Sequence, residues 1–249
     1  MLKGIFNPGP LFLCELGKEP NKKMHKAKLF DSWPQRYDAW FQTPIGRLVK
    51  TYEAKTVLGL LKPGRGEIIL DAGCGTGIFT LDFLAAGARI VGLEISWPML
   101  ITARRKVGGE PFEEILGDMI KLPFKENRFD KAVSVTALEF IEDAKGAVRE
   151  LFRVTKPGGR VVVATLNSLS PWADRRKAKT KRGEKHVLEK AYFRSPQEIS
   201  ALAPYPCKIQ TAIHFKKDEK PARAGEIEKQ GFLKKSDSGA FVAASWEKP

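Results

Sequence analysis

A glycine-rich stretch, residues 67–77, constrains the fold of this chain more than any other feature. It reads Glu-Ile-Ile-Leu-Asp-Ala-Gly-Cys-Gly-Thr-Gly, an apolar run that ends at an acid and continues into three alternating glycines. The apolar run predicts a buried parallel strand, and glycine lets the backbone turn sharply and come close to a ligand. Apolar residues at helical spacing follow. Strand, glycine turn and helix together predict a nucleotide-type site at the carboxyl end of a strand.

The spacing of the glycines separates this turn from two common nucleotide-binding motifs. A dinucleotide fingerprint places its third glycine one residue later than Gly77, where this chain has Ile78. The Gly-Lys-Ser/Thr ending of a P-loop is also missing, which excludes that motif. The stretch resembles motif I of the class I S-adenosylmethionine-dependent methyltransferases, and a nicotinamide-dependent dehydrogenase is disfavoured.

Two later acidic residues fall where this resemblance requires them. Glu94 ends the second predicted strand, residues 88–94, and an ionised carboxylate there can accept hydrogen bonds from both hydroxyls of a ribose. Asp118 follows the third predicted strand, where the family has an acid that accepts from the adenine amino group. By the same resemblance, Ile95 and Met119 are apolar neighbours of the adenine ring.

The resemblance covers about residues 28–168 and is nearest to the methyltransferase-11 type, which includes ubiquinone and menaquinone biosynthesis enzymes. The aromatic segment 37–41 resembles the family's N-terminal element, which folds over the cofactor as part of a lid. The resemblance implies S-adenosyl-L-methionine as cofactor and S-adenosyl-L-homocysteine as product, and no metal site is predicted. The implied cofactor-binding residues are Tyr37, Asp71, Gly73, Cys74, Gly75, Gly77, Glu94, Ile95, Met99, Asp118, Met119 and Thr136.

The order of the predicted elements favours an α/β fold. We expect a Rossmann-like, seven-stranded, mostly parallel sheet with a C-terminal antiparallel strand and helices on both faces. Strands are predicted at 68–70, 88–94, 112–116, 128–135, 160–165, 209–215 and 239–246, the last two as an antiparallel hairpin. Ser96 is predicted to cap a helix, Ser195 to begin a capping box, and residues 156–159 to form a turn.

The domain organisation follows from composition and periodicity. Residues 1–27 lack periodicity and are expected to form an extended arm with little structure of its own. Residues 28–249 are expected to form a single methyltransferase domain, with N-terminal helices at 28–62 and a lid insertion at 167–194. In the family this insertion covers the acceptor pocket. Its many lysines and arginines leave two interpretations open, a solvated mobile flap or an anion-recognition lid.

Composition limits the class of protein and its partners. The 249-residue chain is 43% hydrophobic, enough for one large α/β domain, and its formal charge of +14 suggests attraction to polyanions or acidic substrates. No apolar run is long enough to span a bilayer, and a signal peptide is not indicated. The three cysteines have neither metal nor redox spacing, so we expect a cytoplasmic, reduced protein.

The catalytic demands of the implied reaction are modest. Methyl transfer from a sulfonium is an in-line displacement that needs alignment and exclusion of water. A base is required only if the acceptor holds a proton at neutral pH. Tyr37, Glu139, His186 and His214 are candidate helpers, and no catalytic residue is assigned. Phe140 occupies a position where family members often have histidine.

Three functions remain open from the sequence. The leading hypothesis is methyl transfer to a small molecule, whose anionic character the basic insertion suggests. The charge also fits an RNA or DNA methyltransferase. The Asn/Asp-Pro-Pro-Tyr/Phe element of amino-directed enzymes is missing after the fourth strand, and Pro206-Cys207 lies too late for a cytosine-C5 enzyme. A cofactor-binding protein that acts as a scaffold or regulator is the third.

Overall fold

The protein folds around one twisted seven-stranded sheet. The structure is a computed structural model that describes residues 29–184, 187–189 and 191–249, so the predicted arm at 1–27 lies outside the described residues. The strand order is β3-β2-β1-β4-β5-β7-β6. The strands are β1 (Ile68–Ala72), β2 (Arg89–Glu94), β3 (Phe112–Leu116), β4 (Phe129–Val135), β5 (Thr155–Leu166), β6 (Cys207–Ala212) and β7 (Phe241–Glu247). Strand β7 runs antiparallel to β5 and to β6, which confirms the predicted sheet.

Helices cover the sheet. They are α1 (Pro34–Gln42), α2 (Pro44–Leu61), α3 (Thr80–Ala85), α4 (Trp97–Val107), α5 (Ala144–Val154), α6 (Pro171–Lys181), α7 (Pro196–Ser200) and α8 (Pro221–Leu233), with a short 3-10 helix at Leu138–Phe140. Five of these helices, α1, α2, α6, α7 and α8, begin at a proline. Proline suits the first turn because its missing N–H would have had no partner inside the helix.

The apolar core lies on both faces of the sheet. Val57 and Leu61 of α2 are fully buried in the cluster on one face, and Leu151 of α5 is fully buried in the cluster on the other. The same face as α2 also receives side chains of α3, α4 and α8. Helices on both faces explain why the central strands are almost continuously apolar.

The strand order places a crevice at one point of the sheet edge. The chain moves outward from β1 to β2 and β3, and then returns to the other side of β1 to form β4. Helices that leave the ends of β1 and β4 therefore diverge, and open α/β sheets bind ligands at the crevice so formed.

Three local predictions differ from the structure. The side chain of Ser96 does not cap α4; its hydroxyl donates to Asp31 Oδ1 at 2.7 Å. The predicted turn at 156–159 lies within β5, because Thr155 already pairs with Phe129 and the extra residues bulge before Arg160. Strand β6 is shorter than predicted, 207–212 rather than 209–215, since Ile213 has a left-handed φ of 66°.

The insertion at 167–194 contains α6, a helix that the sequence did not predict. Its side chains are mostly charged and exposed, and only Trp172 and Ala173 are buried. The predicted capping box is present, with hydrogen bonds in both directions between Ser195 and Glu198. In the described part of the chain, every helix is too short or too polar to cross a membrane.

Candidate functional site

A cavity of about 460 Å³ opens at the carboxyl ends of β1, β2, β3 and β4. Its volume and its mixture of apolar walls with a few polar groups are typical of a small-molecule site. Eleven of the twelve sequence-predicted cofactor positions line it. They are Tyr37, Asp71, Gly73, Cys74, Gly75, Glu94, Ile95, Met99, Asp118, Met119 and Thr136.

Gly77 is the predicted residue that does not line this cavity. Its φ of 75° suits glycine, and a Cβ there would lie 3.2 Å from Cβ of Ala103 and 3.3 Å from a methyl of Val107. The third glycine of the turn therefore allows α4 to pack closely against the loop.

The first two glycines of the turn shape the cavity wall. Gly73 and Gly75 have φ values of 79° and 57°. A Cβ on Gly73 would lie well inside van der Waals contact with Cβ of Ala137, the residue after Thr136. The backbones after β1 and β4 thus approach each other more closely than any side chain at position 73 would permit.

Glu94 fixes the glycine turn from the neighbouring strand. Its Oε2 accepts the Gly75 N–H at 3.0 Å, and its Oε1 accepts the N–H groups of Ile95 and Ser96, each at 2.9 Å. Burial raises the pKa of this carboxyl, and the three N–H donors act against that rise. A carboxylate offers about four acceptor positions, so Glu94 retains capacity for a ligand hydroxyl.

The third strand contributes a polar and an apolar group side by side. Asp118 is half-buried, and its Oδ1 accepts the Ile120 N–H at 3.1 Å. Met119 and Met99 are both buried in the wall of the cavity. The Asp118 carboxylate beside the two methionine side chains suits a flat ring that carries polar groups at its edge.

Asp71 and Cys74 are buried at the base of the cavity. Asp71 accepts a hydrogen bond from Thr80 Oγ1 at 2.6 Å, and burial raises its pKa to about 7 against that hydrogen bond. Burial also raises the pKa of the Cys74 thiol, which Asp71 and Glu94 raise further. Cys74 is therefore a neutral thiol rather than a nucleophile.

Helix α1 is fastened over the glycine turn. Thr76 Oγ1 donates to Asp38 Oδ1 at 2.6 Å, and Lys106 Nζ of α4 donates to the same oxygen at 2.8 Å. These contacts place Tyr37 above the cavity, 3.4 Å from Thr136 Oγ1 through its hydroxyl. Thr136 has a left-handed φ of 49°, an uncommon conformation for a β-branched residue that is found mainly where function requires it.

A second cavity, also of about 460 Å³, lies beside the first. The two share four lining residues, Phe30, Tyr37, Thr136 and Phe140. Helices α1, α2 and α6 supply about half of its walls, and Trp40 and Trp172 form an apolar side. The ammonium of Lys217 lies 4.7 Å from the centre of the Trp40 ring and 5.8 Å from that of Trp172.

The second cavity contains the candidate helper Glu139 together with charged groups, such as Glu53, that the sequence did not place in a site. Glu53 and Glu139 line it, as do the basic side chains of Arg36, Arg176 and Lys217. A signal for Glu53 is present in the sequence, because position 53 lies four residues from Val49 and from Val57 on the buried face of α2.

The four side chains that the sequence suggested as catalytic helpers do not all lie at the cavities. Tyr37 and Glu139 line the second cavity, whereas His214 lines neither cavity, and His186 lies outside the described residues. His214 is instead held by Glu228 of α8, with 3.1 Å between Nδ1 and Oε2. Glu228 also accepts the backbone N–H groups of Ile213 and His214.

The pairing of His214 with Glu228 predicts a specific pH dependence of stability. Burial lowers the pKa of His214, but the hydrogen bond and charge of Glu228 outweigh burial and raise it above the ordinary value. The stabilisation that the pair gives the folded protein is therefore complete below the unfolded-state pKa of histidine, about 6.5. It is lost as pH rises through the pKa of His214 in the folded protein. We expect the free energy of unfolding to fall as pH rises through this window.

Urea unfolding of the wild type and of Glu228→Gln between pH 5.5 and 8.5 measures this effect. Glutamine keeps an acceptor for one of the two backbone N–H groups and carries no charge. Other buried carboxyls titrate equally in both proteins, so the stability difference between them should shrink as pH rises. A difference that stays constant across the range would contradict the assignment.

Comparison with known proteins identifies relatives of the central part of the chain. Residues 70–163 match the family described as "Methyltransferase domain". Demethylmenaquinone methyltransferase of Thermobifida fusca is 32% identical over 160 residues, which cover 63% of this chain and 66% of that protein. Malonyl-[acyl-carrier protein] O-methyltransferase of Erwinia pyrifoliae is 40% identical over 105 residues, 42% of this chain and 39% of that protein.

The fold has close counterparts among solved structures. A SAM-dependent methyltransferase from Thermotoga maritima superposes with a TM-score of 0.69 at 23% identity, covering 89% of this chain and 98% of that one. At this identity the likeness concerns the fold. The chain spans 59% to 66% of the length of the first three demethylmenaquinone methyltransferases that it matches.

Proposed function

We propose that this chain, as a member of the class I S-adenosylmethionine-dependent methyltransferases, transfers a methyl group to a small-molecule acceptor. The observation that carries the proposal is the pair of adjoining cavities. The first lies at the switch point of the sheet, and the second meets it at a common wall that includes Tyr37 and Thr136. Two ligands that must react with each other would need such an arrangement.

The residues of the first cavity fit S-adenosylmethionine. The close approach of backbone at Gly73 and the remaining acceptor capacity of Glu94 suit the amino-acid part and the ribose of the cofactor. Asp118 would accept from the adenine amino group, with Ile95 and Met119 against the ring. When bound, this cofactor supplies a methyl group on positively charged sulfur, already activated for displacement.

The contribution of the chain to the reaction is alignment and exclusion of water. Phe30, Tyr37 and Phe140 surround the passage between the cavities with aromatic surface. Fixing two reactants in line lowers a barrier by about 7–11 kcal/mol. The contacts of Asp38 with Thr76 and Lys106 hold α1 over this passage.

The relatives act on different acceptors, so we infer the acceptor class from the second cavity itself. In the described part of the chain, Arg36, Arg176 and Lys217 form no ion pair, whereas Arg175 pairs with Asp218 at 3.1 Å. Arg176 also interacts electrostatically with Glu139 and Glu53. None of the three cations forms a direct ion pair with a described residue, which favours an anionic acceptor. This supports the anion-recognition interpretation of the basic insertion.

The remaining features of the protein are proposed on the same basis. Residues 28–249 form one methyltransferase domain in which the insertion at 167–194 covers the acceptor. Cys74 and Cys207 are free thiols, which suits a reducing compartment such as the cytoplasm.

Binding and turnover test the proposal in sequence. S-adenosylmethionine and S-adenosylhomocysteine should each raise the melting temperature of the purified chain. Methyl-labelled cofactor, incubated with the protein and a metabolite extract, should then label compounds of low molecular mass. Protein that neither compound stabilises would refute cofactor binding. Cofactor binding without any labelled product would indicate a non-catalytic protein, and label confined to RNA would indicate the nucleic-acid hypothesis.

The anionic character of the acceptor has its own test. Replacing Arg176 by methionine should raise the KM for the labelled acceptor by about tenfold, because a charge-assisted hydrogen bond contributes about 1.5–3 kcal/mol. Affinity for S-adenosylhomocysteine should not change. Lys177→Met on the same helix, at an exposed position outside the cavity, is the matched control and should leave KM unaltered. Equal KM values for both variants would contradict an anionic acceptor.

A further inference from the structure

Two buried glutamates in the second cavity have no role in the function proposed above. Glu53 of α2 is 4% exposed and Glu139 of the 3-10 helix is 1% exposed. They come from distant parts of the sequence and line the same cavity. Buried carboxyls are rare unless they are paired or take part in function. We refer to Glu53 and Glu139 as the acid pair.

The contacts of the acid pair leave polar capacity inside the cavity. Glu139 Oε2 accepts a hydrogen bond from Thr165 Oγ1 at 2.9 Å. Glu53 Oε2 is fully buried and has no hydrogen-bond partner among the described residues, and the same holds for Nη1 of Arg176. Unpaired buried polar atoms cost free energy, so their presence in one cavity points to a polar ligand between them.

Basic groups act on the acid pair from several parts of the chain. Arg176 of α6 acts on both carboxyls, Lys50 of α2 acts on Glu53, and Arg194 acts on Glu139. The Tyr37 hydroxyl on α1 completes the surroundings, and burial raises its pKa so that it stays protonated. Because basic groups are already present, a cationic amine is a poor ligand for this position.

The protonation of the acid pair is set near neutral pH. Burial raises the pKa of Glu53 to about 8, and the negative charge of Glu139 raises it further while Lys50 and Arg176 lower it. Burial also raises the pKa of Glu139 to about 7, opposed by the Thr165 hydrogen bond and by Arg176 and Arg194. Because each pKa is raised and the two carboxylates would repel each other, the pair would share one proton near neutral pH. A carboxylate poised near the working pH is well suited to accept a proton.

We propose that Glu139 is the general base for the acceptor and that Glu53 is its protonated partner. This inference rests on the proposed function and narrows it, because a base is useful only for an acceptor whose nucleophilic atom carries a proton. Together with the basic side chains around the cavity, it defines the acceptor as an anionic small molecule that is methylated at a hydroxyl oxygen. Glu139 is favoured over Glu53 because it lies in the chain between Thr136 and Phe140, two residues that line both cavities.

The proposed step balances. The acceptor oxygen forms a bond to the methyl carbon, the carbon–sulfur bond breaks, and the sulfur keeps the electron pair. The proton formerly on the acceptor oxygen passes to the Glu139 carboxylate, which becomes a neutral carboxylic acid. Glu53 keeps its proton and takes no part in the bond changes.

Three variants of the full-length chain test the proposal. Glu139→Gln removes the carboxylate and Glu53→Gln removes the ionisable carboxylic acid, each with little change of shape. Glu226→Gln is the matched control, at an exposed position of α8 that lines neither cavity. Calorimetry with S-adenosylhomocysteine should give the same affinity for all of them within about twofold, which separates this test from that of the cofactor site.

The expected results concern both turnover and titration. Transfer of label to the low-mass acceptors of the extract should fall by about 100-fold or more in Glu139→Gln, since general bases contribute about 10²–10⁴. The wild-type rate should rise with pH through the neutral range, and this rise should vanish in the variant. In cofactor-free protein with ¹³C-labelled glutamate carboxyls, NMR should show two resonances that titrate near neutral pH, one of them lost in each variant.

Other outcomes would overturn the proposal. Label transfer by Glu139→Gln within threefold of the wild type, with intact cofactor binding, would exclude Glu139 as the base. Carboxyl resonances that all titrate in the ordinary acidic range would exclude the poised acid pair. Cofactor binding without any label transfer by the wild type would refute the proposed function, and with it this inference.

Discussion

Replacing Glu94 by alanine is expected to weaken the binding of S-adenosylmethionine and of S-adenosylhomocysteine by about tenfold or more. If Glu94 binds the ribose as proposed, the change removes charge-assisted hydrogen bonds that contribute about 1.5–3 kcal/mol. It also frees the N–H groups of Gly75, Ile95 and Ser96, which the carboxylate accepts in the structure. The glycine turn would then lose its fixed position against β2. Calorimetric titration of the folded protein with each ligand measures the effect.

A control variant separates the loss of this carboxylate from a general loss of acidic charge. Glu114 lies on the neighbouring strand β3, forms an ion pair with Arg104 and does not line the cavity. Glu114→Ala should therefore bind both ligands with wild-type affinity. Unchanged affinity in Glu94→Ala, in a protein that remains folded, would reject the ribose role.

The parts of the cofactor site that could be predicted are those that local sequence determines. A parallel strand ends at the same edge of the sheet as its neighbours, so residues that follow three strands converge without any long-range information. Gly73, Glu94 and Asp118 could be assigned to one cavity for this reason. The capping box that begins at Ser195 was likewise recognisable, because Ser195 and Glu198 lie only three positions apart.

The parts that could not be predicted depend on contacts between distant segments. Ser96 has the sequence of a helix cap, but its hydroxyl donates to Asp31, 65 positions earlier in the chain. The two members of the acid pair lie on α2 and on the 3-10 helix after β4 and line the same cavity. No local sequence pattern connects Glu53 with Glu139. Helix α6 has few buried residues and a mostly charged sequence, so its periodicity carried little information.

Replacing Gly73 by alanine is expected to lower the free energy of unfolding by about 2–5 kcal/mol and to weaken cofactor binding at least tenfold. A left-handed φ costs an alanine about 1–2 kcal/mol. The added Cβ would also overlap Cβ of Ala137, and overpacking costs about 1–3 kcal/mol more. Relief of that overlap requires the segment after β4, with Thr136, to move away from the glycine turn. Because that segment forms the wall between the two cavities, cofactor and acceptor would both lose their alignment.

Gly66 provides the matched control, since its φ of 80° is nearly that of Gly73 while a Cβ there would meet no atom within 4 Å. Gly66→Ala should therefore show only the conformational cost of about 1–2 kcal/mol, with cofactor affinity unchanged. Urea unfolding and calorimetry on both variants distinguish backbone strain from steric overlap. Equal losses of stability in the two variants would mean that the backbone can relax around Ala137. The close approach of the β1 and β4 loops would then not be what shapes the cavity.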